Sequence, residues 1–232
     1  MPEFTALNAI VLSSKALGEN AFIVSLFTPD NGRHLGVVKK KSPPEIGTLC
    51  HAIWKARLVE QLGTFYLEET KLYAPMLLDD ISRLHVLSNL CALLDKALPE
   101  RQIYSDLHTA VLNFLEDLSE PDFYERYILF EVKLLAALGL ALDMSSCAGG
   151  GDKNDLAYIS PKTGHAVSRE KGRPYHSKLL KLPRFLWQKA SASKEDLIDG
   201  LTITGHFLQS YLETLPQTRA NLYSDIQRRH DG

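Results

Sequence analysis

The chain has 232 residues, of which 45% are hydrophobic, and this is enough for one large or two small globular domains. No apolar run approaches the roughly 20 residues of a membrane helix. The N-terminus lacks the charged region and the cleavage site of a signal peptide. Three scattered cysteines indicate reduced thiols rather than a disulfide framework. These features predict a cytoplasmic protein with no membrane association.

Charge is distributed unevenly along the chain, although the formal net charge is only -2. Residues 33–57, the first basic block, have a net charge of +5. Residues 79–143 have a net charge of -7, and residues 162–194, the second basic block, have a net charge of +8. An overall basic balance therefore cannot argue for nucleic acid, but two local basic blocks flank an acidic middle.

Five short segments near the N-terminus have the composition of β-strands, because they are rich in β-branched and aromatic residues and are separated by turn residues. They cover residues 6–12, 20–28, 34–40, 52–62 and 65–74. The sequence PDNG at residues 29–32 and the pair Leu62-Gly63 favour tight turns. Five strands are the number found in a small barrel.

Helical spacing of apolar residues replaces the strand pattern after residue 75. Two amphipathic helices are predicted from Leu84 to Leu98 and from Leu107 to Leu118. A third is predicted over 121–140, with Asp122 and Glu125 as a capping pair. A fourth begins at Ser193, with Asp196 at its third position, and runs to residue 215. Residues 147–181 contain too many Gly, Pro and charged residues for a helix and are predicted to form an irregular insertion.

No pattern of catalytic residues is present in the sequence. Cys50 and His51 are adjacent, but neighbours on a strand point to opposite faces, so we expect a half-buried thiol and a surface imidazole rather than a dyad. The other histidines lack metal-ligand spacing, and no glycine-rich phosphate loop joins a strand to a helix. The sequence therefore predicts a protein that is not an enzyme and has no cofactor.

The segment CAGGGDKNDLAYISPKTG begins at Cys147 like half of a metal knuckle. A structural zinc ion needs four nitrogen or sulfur ligands. Gly150 occupies the second position of a C-x-x-C pair, and a second pair is replaced by Ser168 and Lys171. Only His165 could add a ligand, and two ligands are too few for a stable site. No metal is expected.

Several longer stretches resemble the RecO family of DNA repair and recombination mediators. They are AIVLSSKALGENAFIVSLFTPDNGRHLGVVKK, WKARLVEQLGTFYLEE, LLAALGLALDMSSCAGGG, LAYISPKTGHAVSRE and LKLPRFL, which together span most of the chain. Many family members hold zinc with four cysteines, whereas this sequence keeps only Cys147 at the first ligand position. It resembles the branch that lacks zinc.

The resemblance implies an α+β fold, with a five-stranded OB-fold barrel at residues 1–77 and a helical domain at residues 78–232. A degenerate zinc-knuckle-like insertion is expected at 145–182. The implied function is to bind single- and double-stranded DNA, anneal complementary strands and help load recombinase onto strands covered by single-strand binding protein. The implied partners are RecR and the acidic, Phe-ending tail of single-strand binding protein. The implied location is cytoplasmic, at the nucleoid.

Both basic blocks supply the expected DNA contacts. OB barrels bind strands through a basic groove with stacking aromatics, for which Trp54 and Tyr66 are candidates, although barrel core is the commoner role for each. Lysines at a strand end can also serve only to block edge pairing, and the second block can serve only to neutralise the acidic middle. The expected phosphate contacts are Arg33, Lys39, Lys40, Lys41, Lys55, Arg57, Arg169, Lys171, Arg173 and Lys178, with Lys181 and Arg184 extending the path.

Two other functions stay open at this point. One is a protein-interaction adaptor of the repair machinery whose barrel does not bind DNA. The other is a cysteine- or metal-dependent enzyme acting on nucleic acids. Binding of a labelled oligonucleotide separates the adaptor from the DNA-binding protein, and metal analysis with alkylation of Cys147 tests the enzyme.

Overall fold

The computed structural model describes residues 2–58 and 61–229. The chain forms two compact units that divide between Ser119 and Glu120. No helix among the described residues has the length and apolarity needed to cross a membrane.

The first unit begins with five strands that form a closed barrel in the order β1-β2-β3-β5-β4. Strands β3 and β5 run parallel, and the other neighbours are antiparallel. This is the OB-fold arrangement, so the predicted fold class is confirmed. The fourth strand is shorter than its predicted range of 52–62. Residues 59 and 60 of that range lie outside the described residues. The bounds are β1 (Glu3–Ala16), β2 (Phe22–Thr28), β3 (Gly32–Val38), β4 (Leu49–Lys55) and β5 (Gly63–Lys71).

Two glycines form the seam at which β3 meets β5. Gly36 is the register partner of Gly63. A Cβ atom on Gly36 would lie 2.4 Å from Cδ2 of Phe65, and one on Gly63 would lie 2.2 Å from Nε1 of Trp54. Both rings are buried, and Trp54 Nε1 donates a hydrogen bond to the carbonyl oxygen of Leu35 at 3.1 Å. The parallel closure therefore requires glycine at both positions, because aromatic rings fill the space above them.

Strand β1 is long enough to pair with β2 along one part and with β4 along the other. Its register shifts between Ala6 and Ala9, where Asn8 has a φ of 53°. This irregularity presents the carbonyl oxygen of Asn8 to Nε2 of His108, 3.0 Å away on a helix of the same unit. A β-bulge thus both bends the strand and ties the barrel to that helix.

Two helices, α1 (Ile81–Ala97) and α2 (Ser105–Asp117), complete the first unit. Glu116 of α2 accepts a hydrogen bond from the Tyr73 hydroxyl at 2.5 Å and forms an ion pair with Lys71 at 2.7 Å. Composition predicts a boundary after residue 77, where strands give way to helices. In the structure, α1 and α2 belong to the same compact unit as the barrel. The boundary after residue 77 stays a prediction of where the strand domain ends and the helical domain begins.

The second unit consists mainly of helices. The segment of the chain between the first and the third of them contains a small sheet. Three short strands in the order β7-β6-β8 form that sheet, so the insertion is more regular than its composition suggests. The elements are α3 (Phe123–Ala137), β6 (Leu156–Ile159), β7 (Ala166–Ser168), α4 (Arg169–Gly172), β8 (Leu180–Lys181), α5 (Lys194–Tyr211) and α6 (Arg219–Arg229).

The two predicted helix caps of this unit have different outcomes. Ser193 and Asp196 form the expected capping box at the start of α5, with reciprocal bonds of 3.2 and 3.0 Å. The capping pair predicted for α3 is wrong. The Asp122 side chain instead binds Nε of Arg126 at 2.6 Å, and Glu125 accepts a backbone N–H from the loop before α5. Local spacing cannot reveal such competing partners.

A buried ion pair joins the three long helices of the second unit. Glu131 on α3 accepts hydrogen bonds from Arg219 on α6 and from the Thr204 hydroxyl on α5. Arg219 also donates to the carbonyl oxygen of Leu201 at 2.8 Å. Burial alone would lower the pKa of Arg219, but the adjacent Glu131 carboxylate raises it, so the guanidinium group stays charged in the interior. Helix α6 was not predicted from the sequence.

Candidate nucleic-acid interface

Arg33, the first cation of the first basic block, is held inside its own unit. Its side chain is 14% exposed, and Nε donates a hydrogen bond to the carbonyl oxygen of Leu98 at 2.7 Å. Its guanidinium nitrogens lie 3.4 Å from Asp95 Oδ1 and 3.7 Å from Glu100 Oε1. These contacts favour a structural role, in which Arg33 joins β3 to the end of α1, over a phosphate contact.

Two lysines of the block are paired with acids of the same barrel. Lys55 lies 3.0 Å from Glu3 Oε1 across the β4–β1 pair. Lys40 reaches from the loop after β3 to the carboxylate of Glu69 on β5. A phosphate must compete with these carboxylates for the two ammonium groups.

The remaining cations of the first block are exposed. Lys39 and Lys41 lie in the loop that follows β3, and Arg57 follows β4. None of the ion pairs among residues 2–58 and 61–229 involves these three side chains. They therefore offer positive charge to solvent.

A cavity of about 350 Å³ opens beside the β3–β5 seam, beyond the point where the two strands stop pairing. Lys39 and Lys40 line one side, and Phe65, Tyr66 and Leu67 of β5 line the other. Basic side chains and an aromatic side chain thus meet in one groove. This combination suits a single strand, whose phosphates need cations and whose bases stack on rings.

The structure distinguishes the two aromatic candidates of the barrel. Trp54 is 3% exposed, lies in the barrel core and stacks on Phe4 with ring centroids 5.4 Å apart. It is therefore core and is not accessible to a base. Tyr66 is 61% exposed and lies opposite Ile53 on the outer face of the barrel. Tyr66 remains the candidate for stacking.

The second basic block places its cations on the surface of the insertion. Arg169 lies 3.4 Å from Asp155, and Lys171 lies 3.6 Å from Glu170, with both cationic side chains well exposed. Arg173 and Lys178 are exposed and take part in none of the ion pairs of the described residues. The Arg169–Asp155 and Lys171–Glu170 pairs are exposed ion pairs of the kind that contributes about 0 to 1 kcal/mol, so they restrain the two cations weakly.

An exposed tyrosine, which was not predicted from the sequence, lies between the last two of these cations. A 3-10 helix over Arg173–Lys178 has no buried residue, and its Tyr175 is 61% exposed. The hexapeptide RPYHSK combines cations with an aromatic ring, which is the composition of a strand-binding surface. That signal was available in the sequence.

The Cys147 turn lies directly against the other half of the knuckle-like segment. A Cβ atom on Gly151 would lie 2.1 Å from Ser168 Oγ, and one on Gly149 would lie 3.2 Å from Lys171 Cβ. The backbone N–H of Ser168 donates to Cys147 Sγ at 3.2 Å. Burial raises the pKa of the Cys147 thiol, but Ser168 and the backbone N–H groups of the turn outweigh it and lower the pKa to about 7.

These residues do not fit a zinc ion. The turn brings together one thiol, one hydroxyl and the aliphatic stem of Lys171, whereas zinc needs four nitrogen or sulfur ligands. His165 lies 3.1 Å from Asp143 Oδ2 and is exposed, and no group of three or more possible metal ligands occurs among the described residues. Hydrogen bonds and side-chain packing hold the turn in place of a metal.

Cys50 and His51 lie on opposite faces of β4, as expected. The thiol is fully buried, not half-buried as predicted, and donates to the carbonyl oxygen of Ala9 at 3.5 Å. Burial raises its pKa to about 12, so it is not a nucleophile near neutral pH. His51 is exposed and faces Glu68. The two side chains cannot act together.

The fold and the surface of the first unit define the class of protein. The first unit is an OB-fold barrel with a groove of cations and one exposed aromatic ring, which is the arrangement of oligonucleotide-binding barrels.

Family models then give the particular family. The model for the recombination protein O N-terminal domain matches residues 1–70, and the model for its C-terminal domain matches residues 78–219. The chain belongs to the RecO family.

Relatives match the chain over nearly its whole length. A DNA repair protein RecO of Rhodospirillum centenum is 41% identical over 96% of this chain and 94% of its own length. Proteins of the same name from Rhodospirillum rubrum and a Jannaschia species are 38% and 37% identical, each with at least 94% of both chains covered.

Proposed function

We propose that this protein is a non-enzymatic mediator of recombinational DNA repair that binds single- and double-stranded DNA and anneals complementary strands. Membership of the RecO family supports a role in DNA repair. The observation that carries the more specific proposal is the groove beside the β3–β5 seam, in which Lys39, Lys40 and Tyr66 are combined.

The barrel groove is the proposed primary site. Lys39 and Lys41 meet phosphates, Lys40 does so when it leaves Glu69, and Tyr66 stacks on a base. Arg57 and Lys55 extend the charged surface at the end of β4. In the second unit Arg169, Lys171, Arg173 and Lys178 form a further DNA-binding surface, to which Tyr175 contributes a ring. Phosphate contacts of this kind bind any sequence, as an annealing protein requires.

The proposed partners follow from the family. They are RecR and the acidic, Phe-ending tail of single-strand binding protein, and the proposed outcome is the loading of recombinase onto covered strands. The proposed location is cytoplasmic, at the nucleoid. Binding of a labelled tail peptide, with a peptide lacking the final Phe as control, tests the second partner.

A direct test of the function uses a fluorescent single-stranded oligonucleotide and its complement. We expect the anisotropy of the labelled strand to rise with added protein. We also expect the complement to anneal faster when protein is present, without any nucleoside triphosphate. Annealing that required ATP would contradict the proposal. Absence of any binding, together with binding of a repair protein partner, would favour the adaptor function instead.

A further inference from the structure

The pairing of Lys40 places an acid at the edge of the proposed DNA groove. The side chains of Lys40 and Glu69 are 33% and 31% exposed, so solvent reaches both only in part. Lys40 lines the groove, whereas Glu69 lies on β5 beyond Leu67. The Lys40 ammonium group therefore lies between the groove and an acid of the barrel.

Glu69 lies on the core-facing side of β5, at an exposed position near the end of the strand. Its register partner on β4 is Cys50, which is fully buried, and paired residues of antiparallel strands share a face. Burial is the main cause that raises the pKa of that thiol, and the nearby Glu69 charge raises it further while the Lys40 charge lowers it. The Glu69 carboxylate therefore lies beside the Lys40 ammonium group that a phosphate in the groove would approach.

Phosphate and carboxylate need the same donors. The lysine ammonium group has three hydrogens on a flexible stem, and a phosphate in the groove would have to draw it from Glu69 or share it with a second anion. The screening length near physiological salt is about 8 Å, so repulsion between adjacent anions persists there.

We propose that Glu69 is an acidic competitor that keeps Lys40 from full engagement with DNA and thereby limits the affinity of the groove for single strands. This inference rests on the proposed binding of DNA by the barrel. An annealing protein must release each strand once it has paired, and a moderate affinity allows that release.

The test compares Glu69→Gln with wild type by anisotropy of a labelled single strand across a range of salt concentrations. Freeing Lys40 adds about one phosphate contact, so log affinity against log salt should steepen by about 0.7. The same change predicts about fivefold tighter binding at 0.1 M salt. Glu68→Gln is the matched control, because Glu68 is the adjacent residue on β5 and its side chain is 82% exposed. We expect a smaller change in that variant.

A double-mutant cycle separates the specific effect from a general change of charge. In a Lys40→Ala background, Glu69→Gln should change affinity no more than Glu68→Gln does in the wild-type background. Tighter binding of equal size in both backgrounds would overturn the inference. Weaker binding by Glu69→Gln would overturn it too, because Glu69 would then position Lys40 for the phosphate.

Failure of the inference and failure of the proposed function give different results. If wild type binds no strand, or if replacing Lys39, Lys40 and Lys41 together changes nothing, the barrel is not the site. If wild type binds with a lysine-dependent salt slope and Glu69→Gln matches Glu68→Gln, only the competitor role fails. Circular dichroism and thermal unfolding of each variant check the fold, and Glu69→Ala provides a second variant without a carboxylate.

Discussion

In the first basic block, three of the six cations are paired with acids of the same unit, and their side chains are 14%, 33% and 41% exposed. In the second block, the paired side chains of Arg169 and Lys171 are 62% and 45% exposed. Arg173 and Lys178 take part in no ion pair among the described residues. The second block has nine cations against six in the first, and pairing further reduces the positive charge that the first block offers to a ligand.

Burial explains why this difference matters. An ion pair that is partly removed from solvent is screened less and has fewer alternative geometries than one on the surface. The barrel therefore uses Arg33 for its own structure and restrains Lys40, whereas the insertion leaves its cations to solvent. The net charge of a basic stretch of sequence is thus an upper limit on the positive charge that a DNA strand meets.

The largest expected effect comes from replacing Lys39, Lys40 and Lys41 together by Ala. If up to three phosphate contacts are lost, the slope of log affinity against log salt should flatten by up to about 2, and binding at 0.1 M salt should weaken by up to about 100-fold. Anisotropy titrations with a single strand measure both quantities. The triple Arg variant keeps the charge and should keep the slope. An unchanged slope in the Ala variant would move the primary site to the second unit.

Replacing Tyr66 by Ala should weaken single-strand binding by about 10-fold, because one stacked base contributes about 1 to 3 kcal/mol. The salt slope should stay the same, since no charge changes. Tyr66→Phe keeps the ring and should bind like wild type. Equal losses in the Phe and Ala variants would show that the hydroxyl group, not the ring, makes the contact.

Matched Met substitutions at Arg33 and Arg173 should have opposite consequences. Arg33→Met removes charged hydrogen bonds to α1 and should lower the free energy of unfolding by about 1.5 to 3 kcal/mol, with no change of salt slope. Arg173→Met should leave stability unchanged and reduce affinity by about fivefold at 0.1 M salt, as one lost phosphate contact would. Urea unfolding and anisotropy titrations measure the two effects. If both variants changed the free energy of unfolding and the DNA affinity alike, the proposed difference between the two basic blocks would be wrong.

The smallest effect on DNA binding is expected from alkylation of Cys147. Its pKa of about 7 lies far below those of Cys50 and Cys91, which burial raises to about 12. Iodoacetamide should therefore modify Cys147 first in the folded protein, at a rate that rises as the pH passes through about 7. Mass spectrometry locates the adduct, and unfolding in urea should expose the other two thiols. DNA affinity should be unchanged; its loss on alkylation would place the turn in the binding surface.

The strands and most long helices could be predicted because their patterns are local. Residue alternation and turn residues reveal the barrel, and the capping box of Ser193 reveals the start of α5. Helix α6 is mostly polar, and Leu222 and Ile226 are its only fully buried apolar side chains among the described residues, so it gives a weak pattern. The strands of the insertion have four residues or fewer, which is too short for a clear alternation.

The properties of the site depend on contacts between distant parts of the chain. Arg33 meets Asp95 across 62 positions, and Lys40 meets Glu69 across 29. No spacing rule reveals such pairs. Trp54 could not be assigned from sequence either, because its burial depends on Gly63 in the next strand.

The buried Glu131–Arg219 pair limits where this chain can be shortened. The family match ends at residue 219, which suggests a place to cut the chain. A protein ending before Arg219 would keep the Glu131 carboxylate in the interior without its cation, at a cost of about 3 to 5 kcal/mol. A protein ending at Arg219 itself would lose the helix that carries the guanidinium group. Fragments of the second unit made for separate study should therefore retain all of α6.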